Sequence, residues 1–217
     1  MTLGGPPVAA DGPLVLADIS GYTAFLRSVA EAHTAEAYAH VAVPDAYTVV
    51  SDLLDGIVQR LVPPFTLSKL EGDAVFAFAA DTVGMPRGSD LLRCIGECHA
   101  NFRRVVGEVH QGATCDCGAC SRLGESLDLK FVLHAGPFVI QSVAGGRELI
   151  GPEVVMAHRL LKTRAATLVG RGAYAVITEA AAERFDIPTE GALPLEESVE
   201  HYAPIRLHVF PLGEAGA

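Results

Sequence analysis

Two acids and their surroundings are the part of this sequence best equipped for chemistry. Asp18 closes the apolar run Pro13-Leu14-Val15-Leu16-Ala17, and the chain then turns through Ser20 and Gly21 into a helical segment beginning near Ala24. A buried strand ending in a carboxylate delivers charge to the rim of a sheet, where ligands usually bind. The stretch Ile19-Ser20-Gly21-Tyr22-Thr23 then offers consecutive backbone N–H groups at a helix start, a site suited to phosphate. An Asp in that place also serves as an ordinary helix N-cap. The second acid, Asp73, stands in Phe65-Thr66-Leu67-Ser68-Lys69-Leu70-Glu71-Gly72-Asp73-Ala74-Val75-Phe76-Ala77-Phe78. That stretch reads as two strands joined by a tight Glu-Gly-Asp turn. A hairpin lying beside the first strand would bring Asp73 close to Asp18. Two carboxylates at one rim repel unless a cation lies between them, and Mg²⁺ completed by phosphate oxygens fits that need.

The elements that would position these acids follow in order. Helical spacing is expected over 24–39, with Phe25, Leu26 and Val29 inward, and over 47–61, with Val49, Val50, Leu53, Leu54, Ile57, Val58 and Leu61 on one face. Pro44 ends the first helix, and Pro63-Pro64 stops the second before the hairpin. Residues 79–89 read as a loop and 90–110 as a helix. Two strands follow, 127–135 and 137–143, joined at Gly136. A short strand at 148–150, a helix carrying Arg159, a strand at 173–178, a helix through Phe185 and a strand at 205–212 complete the series. The connection 188–194 is expected to be mobile. Strands interleaved with helices in this way imply an α+β domain with helices on one face of a largely antiparallel sheet.

Ala17-Asp18-Ile19-Ser20-Gly21-Tyr22-Thr23 followed by Lys69-Leu70-Glu71-Gly72-Asp73 resembles the two metal-binding motifs of class III nucleotidyl cyclases. The run from His134-Ala-Gly-Pro through Glu148-Leu-Ile-Gly151 to Arg159 resembles the same family, in the expected order. The resemblance covers roughly 14–162 and implies the ferredoxin-like cyclase core, βαββαβ with additions. It implies two Mg²⁺ or Mn²⁺ ions at Asp18 and Asp73, with the Ile19 carbonyl as a further ligand and the Ile19–Thr23 turn on the outer phosphates. Lys69 matches the position that reads the base as adenine, and Glu148 falls where adenine-type members often carry Asp. Arg159 matches the transition-state arginine. Two departures stand against these matches. Val155 occupies the place of a ribose-orienting asparagine, and 205–212 offers only Arg206 and His208 where a phosphate-holding lysine is expected. His158, beside Arg159, reads as a core or helix-cap histidine. The family's site lies between protomers, so a head-to-tail homodimer is implied. The His158-Arg-Leu-Leu-Lys162 run and the cysteine loop also resemble a little-characterised bacterial branch of cyclase-like proteins.

Composition bounds the rest. The 217 residues suit one buried domain: 13–212, with a Cys-rich insertion at 94–126, between a lead-in at 1–12 and a tail at 213–217. A formal charge of −10 argues against nucleic acid or an anionic membrane as partner. No membrane-length apolar run occurs, and the first dozen residues lack the basic start of a signal peptide, so a cytoplasmic location is expected. Basic residues are few, with Arg159, Lys162 and Arg164 clustered; a solvated helix end explains the last two equally well. Cys115, Cys117 and Cys120 form a C-x-C-x-x-C pattern that suits tetrahedral Zn²⁺, with Cys98, His99 or His110 as fourth ligand; free thiols or a redox-labile loop are the alternative. Three functions compete: conversion of a nucleoside triphosphate, ATP above all, to a 3′,5′-cyclic nucleotide and pyrophosphate; binding of Mg-nucleotide or another phosphorylated ligand without turnover; and a zinc-stabilised interaction domain.

Overall fold

The computed structural model describes residues 6–37, 45–112, 122, 126–144, 146–170 and 172–213. The chain runs β1 (Val8–Ser20), α1 (Tyr22–Ala37), α2 (Asp45–Leu61), β2 (Thr66–Glu71), β3 (Ala74–Phe78), α3 (Ser89–Gly112) and β4 (Asp128–Val143). It continues through β5 (Gly146–Ile150), α4 (Pro152–Arg159), a 3₁₀ turn (Leu160–Lys162), α5 (Ala165–Val169), β6 (Ala173–Thr178), α6 (Glu179–Arg184), β7 (Leu193–Glu197) and β8 (Ile205–Leu212). The strands form one sheet in the order β2-β3-β1-β4-β6-β8-β7, with β5 pairing on β4. Its β2-β3-β1-β4 half is the expected ferredoxin-like core, antiparallel throughout. The β4–β6 pair is parallel. The architecture is therefore α+β with a mostly antiparallel sheet, as the sequence indicates.

Alternation along β1 sorts its side chains between two cores. Val15, Ala17 and Ile19 face α1, α2, α3 and α6, where Phe25, Leu53, Ile57, Leu61, Ile95, Phe102 and Phe185 are buried with them. Leu14 and Leu16 face the other way, against Phe76, Phe138, Val154, Met156 and Leu160. Helices were expected on one face only. The second face is covered too, in part, by α4, the 3₁₀ turn and α5. At roughly 25 cal/mol per Å² of apolar surface removed from water, these two layers are the main favourable term holding the sheet.

Three differences from the sequence reading have physical causes. β1 begins at Val8 and not near Leu14, because β4 is long enough to pair with every residue from Val8 to Ser20. β4 passes straight through Gly136, which faces Gly12 in that register. A Cβ at Gly136 would come 2.5 Å from the Glu153 side chain, so the glycine makes room for α4 rather than breaking the strand. β7 includes Pro194, which an edge strand accommodates because its outer side needs no N–H. Among the described residues, no helix is long and apolar enough to cross a membrane.

Candidate functional site

Strand register places the first group. Asp18 lies opposite Ala74 of β3 on one side and opposite Lys130 of β4 on the other. Asp73 directly precedes Ala74, and its carbonyl accepts the Ile19 N–H at 3.1 Å, which fixes the hairpin turn to the end of β1. The two carboxylates are close enough that Asp18 helps raise the Asp73 carboxyl above its ordinary value; burial is the larger cause, and Lys130 works against both. Lys130 Nζ lies 2.8 Å from Asp18 Oδ2. Tyr22 and Tyr174 flank the pair, and both phenols are pushed up, first by burial; Asp73 adds to the rise at Tyr22, while at Tyr174 Lys130 opposes it and Asp18 adds to it.

Lys130 escaped the sequence reading. In Leu127–Ala135 it looks like the solvated member of an alternating strand, and only its register opposite Asp18 reveals a cation beside the acids. The signal was its placement two residues before Val132, on the face that Leu14 and Leu16 share.

The turn after β1 is built for close approach. Gly21 has φ of 85°, and a Cβ there would come 1.9 Å from the Ser126 carbonyl oxygen. Only glycine fits. The Ile19 amide is engaged by Asp73, so the amides available to an anion are those of the first turn of α1, which a helix leaves unpaired. Ser20 ends β1 opposite Asp128, and Tyr22 and Thr23 open α1. A cleft of about 800 Å³ opens beside this rim, lined by Ser20, Gly21, Arg103, Lys130, Gly170 and Tyr174.

A second group forms where β2, β5 and α4 meet. Lys69 Nζ lies 2.8 Å from Glu148 Oε2 and 3.1 Å from Glu71 Oε1. Its ammonium is held more firmly protonated than usual, chiefly by the hydrogen bond to Glu148, with burial opposing and Glu71 assisting. Glu71 also reaches α4, where its Oε2 lies 2.8 Å from His158 Nε2. Arg159 donates to the Glu200 carbonyl at 3.1 Å, and Val155, one turn earlier, is exposed. Val154, Val155, His158, Arg159, Leu161 and Lys162 line a mainly apolar hollow of about 480 Å³. Arg164 is engaged by Glu197.

The cysteine expectations divide. Cys115, Cys117 and Cys120 lie outside the described residues. Cys98 is fully buried with its thiol directed at the Ile57 carbonyl of α2, 4.0 Å away. Burial, aided by Cys94, pushes that thiol up to about 12. His99 is also buried and lies 2.9 Å from Asp128 Oδ1. Burial acts against the Asp128 charge, yet the His99 contact, the Leu129 amide and Arg103 hold its carboxyl below the ordinary range. Among the described residues, no three His, Cys, Asp or Glu side chains gather around one point. At the rim, two carboxylates are the acids on offer, which is the donor set of Mg²⁺ or Mn²⁺ completed by a ligand's phosphate oxygens rather than of a closed protein cage.

The sequence model of DUF2652, described as a protein of unknown function, matches residues 50–167, more than half of the chain. The chain belongs to DUF2652. The matched part of this DUF2652 chain holds Lys69, Glu71, Asp73, Lys130, Glu148, His158 and Arg159, and Asp18 precedes it. An uncharacterized protein of Mycobacterium tuberculosis, Rv2561/Rv2562, is 29% identical over 167 residues, spanning 75% of the DUF2652 chain and 73% of that protein. Among solved structures, the adenylyl cyclase CyaB of P. aeruginosa matches with a TM-score of 0.66 at 13% identity, over 97% of this chain and 98% of that one. The guanylate cyclase domain of RhGC from Catenaria anguillulae, in complex with GTP, matches with a TM-score of 0.57 at 14% identity, over 96% and 99%. At such identities the DUF2652 chain shares the cyclase-domain fold, and its chemistry must be argued from its own side chains.

Proposed function

We propose that this chain is a class III cyclase-like domain that binds a metal–nucleoside triphosphate, ATP in preference, and converts it to a 3′,5′-cyclic nucleotide and pyrophosphate. The observation that carries this reading is the pairing of two assembled half-sites in one chain. Asp18, Asp73 and Lys130 converge at one rim, and Lys69 meets Glu148 across two strands. In the reaction the ribose 3′ oxygen gives up its proton to solvent and bonds to the α-phosphorus, while the bond from that phosphorus to the bridging oxygen breaks. Pyrophosphate departs with the electron pair. Such chemistry needs positioning and charge neutralisation more than covalent help.

Asp18, Asp73 and the Ile19 carbonyl would hold Mg²⁺ or Mn²⁺, which supplies positive charge to the phosphate oxygens. Lys130 lies beside Asp18, so its ammonium can pass to the phosphate chain when a metal takes its place at the carboxylate. That supplies the cation for which the late strand 205–212 offers no lysine. First-turn amides of α1, at Tyr22 and Thr23, face the outer phosphates, with Ser20 and Gly21 keeping the approach open. Lys69 donates to a ring acceptor of the base, Glu148 accepts from its amino group, and Arg159 supplies charge to the departing oxygens. The two half-sites face each other across a head-to-tail homodimer.

A second reading, binding without turnover, draws on the contact of Arg159 with Glu200 and on the apolar Val155 where a ribose hydroxyl needs a partner. One experiment separates the two. Purified protein is incubated with ATP, GTP, CTP or UTP and Mn²⁺, and product is followed by chromatography with mass detection. Cyclic nucleotide from wild type and none from Asp18→Ala supports the enzyme. Saturable binding with no product establishes the second reading, and absence of binding rejects both. Mixing Asp18→Ala with Arg159→Ala tests the dimer, because a shared site regains part of the lost activity in the mixed species.

A further inference from the structure

We propose that Glu71 and His158 form a latch that fixes the direction of Lys69, and that this latch, rather than Lys69 and Glu148 alone, sets the preference between purine bases. The proposal deepens the nucleotide reading above and rests on it.

Four polar side chains lie in series across three elements. Glu148 of β5 meets Lys69 of β2 at 2.8 Å, Lys69 meets Glu71 at 3.1 Å, and Glu71 meets His158 of α4 at 2.8 Å. Lys69 and Glu71 are two apart on one strand and so project to the same side. Glu71 uses different oxygens for its two partners, Oε1 towards Lys69 and Oε2 towards His158. The His158 ring is itself held twice more. Its Nδ1 lies 2.7 Å from the Val154 carbonyl, and its ring meets Phe76 edge-on at 4.7 Å between centroids. A carbonyl only accepts, so a proton on Nδ1 satisfies that contact, and Nε2 faces the Glu71 carboxylate. Phe76 is wholly buried and makes a rigid floor.

Each exposed ion pair in such a series adds little stability. Its effect here is on direction. A lysine ammonium is a point charge on a flexible four-carbon stem. Left loose beside Glu148, it could donate to the ring N1 of adenine or swing outward to the exocyclic O6 of guanine. Glu148 could then accept from the adenine amino group or from guanine N1–H. A loose pair thus reads either base. With two of its three N–H groups committed to Glu148 and Glu71, Lys69 presents one remaining donor in one direction. The order of donor and acceptor is then fixed, and the base with the opposite order leaves a polar group unpaired. Glu71 and His158 are positioning residues in this scheme. They also connect the base reader to the helix that carries Arg159.

The test is calorimetric binding of Mn-ATP and Mn-GTP to the full chain, wild type against Glu71→Gln, His158→Phe, His158→Lys and Lys69→Ala. His158→Phe keeps the ring on Phe76 and removes both hydrogen bonds, and thermal unfolding confirms that each variant is folded. Wild type is expected to favour ATP by at least about tenfold. In Glu71→Gln and His158→Phe that ratio should shrink to within about threefold, mainly through tighter GTP binding. His158→Lys, which keeps a donor opposite Glu71, should recover most of the ratio, a rescue that a merely structural role does not predict. Lys69→Ala should weaken both nucleotides. A wild-type preference left intact in both latch variants overturns the latch and leaves the nucleotide reading standing, as does an equal loss of both nucleotides or an unselective wild type. Failure of wild type to bind either nucleotide removes the nucleotide reading and the latch with it.

Discussion

The acid rim and the charged series on β2 hold side chains in place by opposite means. At the rim, backbone register does the placing. Asp18 and Lys130 are cross-strand partners, Asp73 closes a tight turn, and an Ile19 amide ties that turn down. On β2, side chains place one another, from Glu148 through Lys69 and Glu71 to His158. Their charge balance differs as well. The series sets one lysine and one histidine against two carboxylates. The rim sets one lysine against two carboxylates, and the Asp73 carboxyl is raised first by burial and then by the charge of Asp18. A site with uncompensated negative charge recruits a cation, whereas a balanced one reads a neutral ligand by hydrogen-bond direction. In the function proposed above, metal and phosphate belong to the rim and base recognition to the series.

Removing an acid from the rim should have the largest effect. Asp18→Ala or Asp73→Ala is expected to lower turnover by more than about 100-fold, the scale of a lost electrostatic group in phosphoryl chemistry. Lys69→Ala should instead raise KM for ATP more than it lowers kcat. If the acid variants and Lys69→Ala change kcat and KM in the same proportion, the division of labour is wrong. Next comes the backbone itself. Gly21→Ala would force a side chain into a left-handed turn and onto the Ser126 carbonyl, so a stability loss of about 2 kcal/mol or more is expected in urea unfolding. Val155→Ala, on the exposed side of α4, serves as the reference and should stay within about 1 kcal/mol of wild type.

The same contrast explains what could be read from sequence. The rim was legible because local chemistry writes it: an apolar run closed by Asp18, a Gly21 that demands a turn, and a Glu-Gly-Asp hairpin. Lys69 and Glu148 were legible by family resemblance, and the structure adds their contact. Lys130 was not legible, because an alternating strand displays its solvated residues and its ligand-facing residues in the same way. The Glu71–His158 contact was not legible either, since it joins distant parts of the chain through the docking angle of α4 and not through any local pattern. The early start of β1 was hidden by the Gly, Pro and Ala of 1–12, which read as lead-in, and β7 by Pro194. Both strands are specified by the partner they pair with rather than by their own composition.

Lys130 offers a sharper probe of the rim than either acid. In the free protein it neutralises part of the negative charge beside Asp18, so it competes with a metal for that carboxylate. Lys130→Met should therefore tighten Mn²⁺ binding in the absence of nucleotide by about fivefold, on the order of 1 kcal/mol for a half-buried charge contact. It should weaken the binding of Mn-ATP, because a phosphate-facing cation is lost. Opposite signs in the two titrations are the expected result. Weaker binding in both would mean that Lys130 supports the rim structurally and does not exchange partners.

The smallest effect concerns how α4 is held at its other end. Glu153 accepts from His134 Nε2 at 2.7 Å, and His134 Nδ1 lies 3.0 Å from the Thr178 hydroxyl, which also takes the Ala181 amide. The hydroxyl can donate, so this ring is satisfied with a single proton, on Nε2. Burial lowers its affinity for a second proton below the ordinary 6.5, with Glu153 opposing. The unfolded chain then binds more protons than the folded one as pH falls past 6.5. Stability from this group is fully present above that value and declines below it, with a slope of at most about 1.4 kcal/mol per pH unit. His134→Gln should flatten the acid limb of urea-derived stability between about pH 6.5 and 5 relative to wild type. The latch variant His158→Phe should leave that limb unchanged, because the contact at the far end of α4 is independent of the one His134 makes. If His158→Phe flattens it equally, α4 is held by a single coupled network, and the balanced series extends to the buried histidine.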